Sequence, residues 1–358
     1  MLDDQKYILK EILRIIDEEK VEGVWIAGDV YDKSVPPLEA VRLWDEFLTE
    51  LANRSLPTFV ISGNHDSPER LAFGAQILDS RQIYLSPVFE NTVQPIFMND
   101  ENGEIAIYLL PFIKPAHVRH VYPEETIESY QDAVEVAIRN MKVDKARRNI
   151  LLAHQFVTGS SKCESEEVSV GGVDNIDISA FEPFDYVALG HLHGPQKTGR
   201  DTVRYCGTPL KYSFSECNHK KAALIVDVLE KGRIELKSVP LIPLRDFREI
   251  KGSYMEVTAK DFYQDTNTRD YIHITLTDEE DIPDAVGKLR TIYPNLMRLD
   301  YDNKRTREGQ EFHLDEEIEK KTPLQQLMDF YELQNNQKMS EEQIEISQKL
   351  MEKIREDA

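Results

Sequence analysis

Seven short apolar runs in the first 240 residues, most of them ending in polar residues, limit the fold more than any other feature of this sequence. They are VWIAGD (24–29), TFVISGNHD (58–66), IAIYLLPF (105–112), NILLAHQF (149–156), YVALGHLH (186–193), VRYCGTP (203–209) and AALIVDV (222–228). Each has the length of a buried strand, and helical patterns separate the earlier runs. The alternation predicts an α/β fold. The closer spacing of the later strands predicts a mixed sheet or a two-sheet sandwich flanked by helices.

The pattern changes at VPLIPLRD (239–246), where two prolines interrupt it, so we place a first domain at 1–240. Beyond it, FREIKG, YIHITLTD and LMRLDYD indicate strands, and DIPDAVGKLRTIY indicates a helix. These elements predict a small α+β domain at 244–303.

The last segment, 304–358, is strongly polar and then offers two short amphipathic helices. Thr322 with Pro323 fits the start of the first, and Ser340 with Gln343 fits a capping box for the second. Two short helices at a chain end do not bury their apolar stripes alone. They dock either on their own domain or on another protein.

Composition narrows the function classes. The net charge of −22 argues against a protein that coats nucleic acid by bulk electrostatics, but it is compatible with a nuclease whose metal ions supply positive charge. The three cysteines show no C-x-x-C spacing, which favours a reducing compartment, and the cytoplasm is our expectation. We see no secretory signal and no run of about 18 apolar residues that would predict a membrane span.

Polar residues capable of metal binding and proton transfer cluster at the ends of the predicted strands. They are Asp29, Asn64, His65, Asp66, His154, His191 and His193. Any one of these residues alone would be explained as a helix cap or as a hydrogen-bonded core histidine. It is improbable that all of these segments end in such residues independently of one another. Ligand sites gather at the carboxyl ends of strands in α/β sheets. A carboxylate, an amide oxygen and imidazoles suit Mn²⁺, Fe²⁺ or Zn²⁺, and two such ions about 3.5–4 Å apart can act on a phosphodiester.

The order GD, GNHD, AHQ and GHLH resembles that of the calcineurin-like metallophosphoesterase superfamily. The longer strings AGDVYDKSVPPLEAV, SGNHDSPERLAFG, VGGVDNIDISAFEPFDYVALGHLHGPQ and YCGTPLKYSFSE are similar to the nuclease-subunit family of bacterial SbcCD complexes. This resemblance covers most of 1–240. It implies a metallophosphoesterase two-sheet sandwich, a capping domain that contacts DNA at 244–303, and helices within 304–358 that bind an ATPase partner.

The resemblance also implies roles for the polar residues. Asp29 would bridge two divalent metal ions, which the family implies to be Mn²⁺. Asn64, His154 and His191 would complete one site, and His193 would bind the other ion. His65 would act on the scissile phosphate or the leaving oxygen. Asp66 would orient His65, with Asp32 in a supporting role.

One departure from the family concerns the N-terminus. The family begins with a strand ending in D-x-H, whose Asp and His complete the metal site that His193 shares, whereas this sequence opens on the amphipathic helix MLDDQKYILKEILRII. Three explanations stay open: a start codon placed too late, a truncation that leaves four ligands at the remaining site, and a non-catalytic relative kept for its partner-binding helices. We expect impaired binding of one cation and weak or no nuclease activity from the chain as it stands.

The residues and the resemblance support three functional hypotheses. The first is a metal-dependent DNA exonuclease and endonuclease subunit for DNA ends and hairpins. It would act as a homodimer within a heterotetramer with an SbcC-like ATPase, bound through 322–358. The second is a phosphodiesterase acting on nucleotides or small phosphate esters, which the acidic charge would suit. The third is a non-catalytic structural subunit.

Overall fold

The computed structural model describes residues 1–161, 175–304, 306, 323–335 and 338–356. Cys163, Thr322 and most of the predicted linker at 304–322 lie outside the described residues. The chain divides into two units between Arg248 and Glu249. The domain bounds 1–240, 244–303 and 304–358, with their assigned roles, stay predictions.

The first unit contains six α-helices among its described residues. They are α1 (Leu2–Glu19), α2 (Leu38–Asn53), α3 (Pro68–Leu71), α4 (Ala75–Leu78), α5 (Pro115–Val121) and α6 (Tyr130–Met141). In α1, Asp3 and Asp4 lie in the first turn, where the helix dipole favours negative charge. The helix ends at Lys20, whose left-handed backbone lets its N–H bond to the Ile16 carbonyl.

Its strands agree with the apolar runs and add several short ones. They are β1 (Val24–Ala27), β2 (Thr58–Ile61), β3 (Ile83–Leu85), β4 (Ile96–Asp100), β5 (Gly103–Leu110), β6 (Arg148–His154), β7 (Tyr186–Gly190), β8 (Gln196–Thr198), β9 (Arg200–Tyr205), β10 (Ala222–Val228) and β11 (Ile234–Pro240). One sheet is parallel, in the order β1-β2-β3; a mixed sheet has the order β4-β5-β6-β7-β9-β8; and β10-β11 is an antiparallel hairpin.

The apolar core of this unit lies on both faces of the mixed sheet. Phe59 and Ile61 of β2 share one cluster with Ile107, Ile150 and Tyr186 of the mixed sheet. The opposite face packs against α6, which buries most of its apolar residues. The two-sheet sandwich flanked by helices is therefore confirmed.

A cleft of about 1130 Å³ opens beside β1. Among the described residues, β1 is an edge strand that pairs only with β2, and β10 pairs only with β11. Both strands line the cleft, together with the apolar face of α1 and with β7. Its lining also includes Asp29, His154, His191 and His193, so the cleft reaches the predicted functional residues.

The second unit has a three-stranded sheet formed by β12 (Phe247–Gly252), β13 (Tyr271–Leu276) and β14 (Leu296–Tyr301), with β12 straddling the boundary between the units. Within its described residues the unit has the helices α7 (Tyr254–Val257), α8 (Lys260–Tyr263), α9 (Ala285–Arg290), α10 (Pro323–Asn335) and α11 (Glu341–Glu356). The capping box before α11 is confirmed: the Gln343 N–H donates to Ser340 Oγ, and the Ser340 N–H to Gln343 Oε1. No helix in the described part of the chain is long and apolar enough to cross a membrane.

Arg148, at the start of β6, is expected to be a strong determinant of stability. It is 4% exposed, pairs with both carboxylate oxygens of Asp100 and donates to the Val228 and Leu229 carbonyls. Arg148→Met removes the ion pair with Asp100 and leaves the Val228 and Leu229 carbonyls without this donor, so we expect the free energy of unfolding to fall by about 2–3 kcal/mol. Urea denaturation followed by the fluorescence of the two tryptophans, both in this unit, measures it.

The matched control is the neighbouring Arg147→Met. Arg147 is 43% exposed and pairs at the surface with Asp144 and Glu104, so its loss should change stability by only about 0.5 kcal/mol. Equal urea midpoints for the two variants would contradict the assignment of a structural role to Arg148.

Candidate metal centre

The ends of four strands deliver the predicted site residues to one place. Asp29 follows β1, Asn64 follows β2, His154 is the last residue of β6, and His191 comes directly after β7. Because β1 and β2 are parallel to each other, as are β6 and β7, their carboxyl ends lie at common sheet edges. The packing of the two sheets then brings these edges together.

Four side chains converge there. His154 Nε2 lies 3.0 Å from Asp29 Oδ2 and 3.0 Å from Asn64 Oδ1. Asn64 Oδ1 is also 3.0 Å from His191 Nδ1. One ligand atom each from Asp29, His154 and His191 lies within 4.8 Å of the others. The structure therefore brings together the four residues that the sequence assigned to one metal site.

The orientation of His154 is fixed by the backbone of β1. Its Nδ1 lies 2.7 Å from the carbonyl oxygen of Ala27, which accepts a hydrogen bond from Nδ1–H. That bond leaves Nε2 as the ring nitrogen that faces Asp29 and Asn64. Burial lowers the pKa of His154, but the neighbouring Asp29 carboxylate outweighs burial and raises it.

Asp29 is held as a carboxylate. Burial would raise its pKa, but the His154 imidazole and the His65 N–H, which donates to Oδ1 at 3.0 Å, lower it to about 2. The backbone is strained at this residue, with φ of 49°, and at His191, with φ of 98°. Left-handed backbone in non-glycine residues is costly, and such residues cluster at functional sites.

Asp66 does not orient His65, contrary to the expectation from the sequence. Its carboxylate accepts hydrogen bonds from three backbone N–H groups, those of Val30, Tyr31 and Gly63. The residue is 6% exposed, and burial raises its pKa. Asp66 therefore ties the loop after β1 to the loop after β2, which carry Asp29 and Asn64.

His65 is oriented by a backbone carbonyl instead. Its Nδ1 lies 3.1 Å from the carbonyl oxygen of Asp32, which accepts its hydrogen bond. Nε2 is then the ring nitrogen left for contact with a substrate. Asp32 contacts His65 through its main chain. A supporting role for Asp32 and a catalytic role for His65 stay predictions.

His193 has a different setting from the other two histidines. It lines the cleft with its side chain 20% exposed, and its Nδ1 is 3.0 Å from Glu216 Oε1. It is absent from the described cluster of Asp29, His154 and His191, so its role as a ligand of a second ion stays a prediction.

Sequence reasoning assigned no role to Glu216 or Lys221, both buried beside His193. Glutamate and lysine in a loop are ordinarily exposed, so their residue types carry no signal of burial. Glu216 ends the string YCGTPLKYSFSE, and its presence in that string was the one available indication.

The donor set fits a divalent transition-metal ion. A carboxylate oxygen, an amide oxygen and two imidazoles are ligands that Mn²⁺, Fe²⁺ and Zn²⁺ accept. The fit is strengthened by the hydrogen bond from His154 to Ala27, because metal-binding imidazoles commonly donate their other N–H to a carbonyl or carboxylate.

Comparison with known proteins gives matches to two families, to a curated relative and to a solved structure. Residues 2–195 match the family described as Calcineurin-like phosphoesterase, and residues 243–335 match the family described as Type 5 capsule protein repressor C-terminal domain. The chain is 35% identical over 303 residues to the SbcD subunit of the nuclease SbcCD from Staphylococcus epidermidis, covering 84% of this chain and 80% of that protein. A crystal structure of a Thermus thermophilus protein is 16% identical, with a TM-score of 0.39, and the match covers 66% of this chain and 94% of the other.

The fold, the site and the match over 2–195 define a calcineurin-like phosphoesterase, a class of metal-dependent phosphoesterases that uses divalent ions. Within that class, the chain belongs to the family of the SbcD subunit of the nuclease SbcCD. The family resemblance noted in the sequence is thereby confirmed.

Proposed function

We propose that this chain is a divalent-metal-dependent DNA nuclease subunit that hydrolyses phosphodiester bonds at DNA ends and hairpins. The observation that carries the proposal is the convergence of Asp29, Asn64, His154 and His191, three of which, Asp29, His154 and His191, line the cleft. Membership of the SbcD nuclease family supports DNA as the substrate.

The proposal assigns a separate role to each of the site residues. Asp29, Asn64, His154 and His191 would hold one ion, and Asp29 and His193 would contribute to a second. Mn²⁺ is the proposed metal, and when bound it would supply positive charge for the phosphate and lower the pKa of a bound water. His65, positioned by the Asp32 carbonyl, would give a proton to the leaving oxygen through Nε2. Asp66 would hold together the two loops that carry Asp29 and Asn64, through its hydrogen bonds to their backbones.

The proposal includes a partner. The helices α10 and α11 present Phe330, Ile346 and Leu350 with more than half of each side chain exposed (60%, 59% and 56%). An apolar surface of this kind suits a groove on another protein, and we assign the segment 322–358 to an SbcC-like ATPase subunit. The assembly would be a homodimer of this chain within a heterotetramer, located in the cytoplasm.

A metal and substrate titration of the full chain tests the catalytic proposal. His191→Ala removes one ligand, so we expect Mn²⁺ binding, followed by electron paramagnetic resonance, and cleavage of linear duplex DNA to fall by at least about 100-fold. The matched control is His120→Ala, which removes an exposed imidazole from the end of α5 and should leave both measurements unchanged.

The alternative functions predict different results. Faster cleavage of a small chromogenic phosphodiester than of DNA would favour an enzyme for nucleotides or small phosphate esters. If His191→Ala kept full function and deletion of 322–358 abolished it, the chain would be a structural subunit.

A further inference from the structure

A buried ion pair lies beside His193, and the proposed catalytic roles leave it unused. The side chain of Glu216 is 0% exposed and that of Lys221 is 4% exposed, with 2.7 Å between Glu216 Oε2 and Lys221 Nζ. Removing two charges from water costs several kcal/mol per ion, and a buried pair often gives no more stability than apolar residues of similar size. The presence of the two charges therefore says little about the role of the pair, whereas the groups that the two side chains contact indicate that role.

Both members of the pair contact His193. Glu216 Oε1 is 3.0 Å from Nδ1 of the imidazole, and Lys221 Nζ donates to the His193 carbonyl oxygen at 2.8 Å. The carboxylate of Glu216 thus contacts the side chain of His193, and the ammonium group of Lys221 contacts its backbone. A pair that served packing alone would have no reason to converge on a histidine in the wall of the cleft.

Neighbouring groups fix the pair in place. Lys221 Nζ also donates to Thr208 Oγ1 at 2.7 Å, and the Thr208 N–H donates to the His193 carbonyl at 3.1 Å. The Tyr212 N–H donates to the same Glu216 oxygen that faces the imidazole, at 3.3 Å. These bonds limit rotation of the carboxylate, so it offers a fixed acceptor to His193.

We propose that Glu216, held by Lys221, is a positioning residue for His193. The carboxylate accepts a hydrogen bond from Nδ1–H, which selects this tautomer and directs the Nε2 lone pair to the cleft, where a metal ion would bind. The inference rests on the proposed function only for the identity of what Nε2 binds. The orientation and tautomer of His193 are properties of the chain without metal.

The double variant Glu216→Met/Lys221→Met tests the proposal in the full chain. It removes both charges together, and such exchanges are commonly tolerated by the fold. We expect nitrogen-15 spectra of the metal-free protein to show that His193 loses its preference for protonation at Nδ1. His193→Gln identifies the signal. We also expect Mn²⁺ affinity to fall by about 10- to 100-fold.

Glu216→Gln/Lys221→Met is the conservative variant. Lys221 is replaced as well because Glu216→Gln alone would leave the lysine charge buried without its partner. The amide oxygen at position 216 can then still accept the hydrogen bond from Nδ1–H, so the tautomer and most of the metal affinity should survive. This variant keeps a polar group at position 216, so it remains a test if the variant with two methionines fails to fold. The control is the exposed pair Lys197 and Asp201 on neighbouring strands, whose replacement by Met and Asn should change neither measurement.

The outcomes separate this inference from the proposed function. An unchanged tautomer in the folded Glu216→Met/Lys221→Met variant, or a tautomer lost in Glu216→Gln/Lys221→Met, would overturn the positioning role. A changed tautomer with unchanged Mn²⁺ affinity would confirm positioning and instead remove His193 from the proposed metal ligands.

Discussion

Gly190→Ala should strongly weaken metal binding at the Asp29–His154–His191 cluster. A Cβ at Gly190 would overlap the carbonyl oxygen of Ala27 and lie 2.6 Å from Nδ1 of His154. These two atoms form the hydrogen bond that orients His154. The backbone of Gly190 is not left-handed, so the expected effect is steric and arises from the close approach of β7 to β1.

The expected magnitudes follow from that overlap. The chain must separate β1 from β7 or rotate His154, and either change misplaces ligands. We expect Mn²⁺ affinity to fall by more than about tenfold, comparable to the loss of an orienting partner. We also expect the free energy of unfolding to fall by about 2 kcal/mol, as in other overpacked cores.

Gly23→Ala is the matched control for Gly190→Ala. A Cβ there would meet the Pro57 carbonyl oxygen at 3.4 Å, an ordinary contact, and its backbone is also outside the left-handed region. It should bind Mn²⁺ as the unaltered chain does. Wild-type affinity in Gly190→Ala would show that the contact of β7 with β1 does not set the geometry of the site.

Asp66→Ala and His65→Ala should impair different properties of the protein although the two residues are adjacent in the chain. The first should lower stability and Mn²⁺ binding, and the second should lower DNA cleavage alone. Asp66→Ala leaves the Val30, Tyr31 and Gly63 N–H groups without their acceptor. Each such loss costs about 1–3 kcal/mol when the group is buried. We therefore expect a less stable protein in which the loops bearing Asp29 and Asn64 move apart and Mn²⁺ binding is lost.

His65→Ala keeps the backbone N–H that donates to Asp29, so Mn²⁺ affinity and the urea midpoint should stay near those of the unaltered chain. DNA cleavage should fall by about 100-fold or more, the contribution expected of a general acid. Equal loss of metal binding in both variants would contradict the separation of a loop-holding residue from a proton donor.

The sequence predicted the strands well because burial on both sides leaves continuous apolar runs. The run 149–156 became β6, in which every residue is buried. It also predicted that Asp29, Asn64, His154 and His191 would meet, since polar residues at carboxyl ends of parallel strands share an edge of the sheet. The strand ends predicted a common edge for all the polar residues, and the family resemblance selected these four as one site.

Sequence reasoning assigned a wrong partner to Asp66 and no role to Glu216. In both cases the residue bonds to groups distant in the chain or hidden in a loop, and neither periodicity nor residue type records such a bond. Asp66 lies next to His65 in sequence, but its carboxylate reaches the backbone of residues 30 and 31 instead. Adjacency in the chain was therefore a poor guide to side-chain contact.

By itself, the sequence determined the α/β class, the family and which residues gather at the site, because these depend on local patterns and residue chemistry. Tertiary structure alone decided the orientation of His154, the linkage of two loops by Asp66, and the placement of His193 against a buried glutamate. Each of these depends on the distance between atoms that only the packing of two sheets and their loops brings within hydrogen-bonding range.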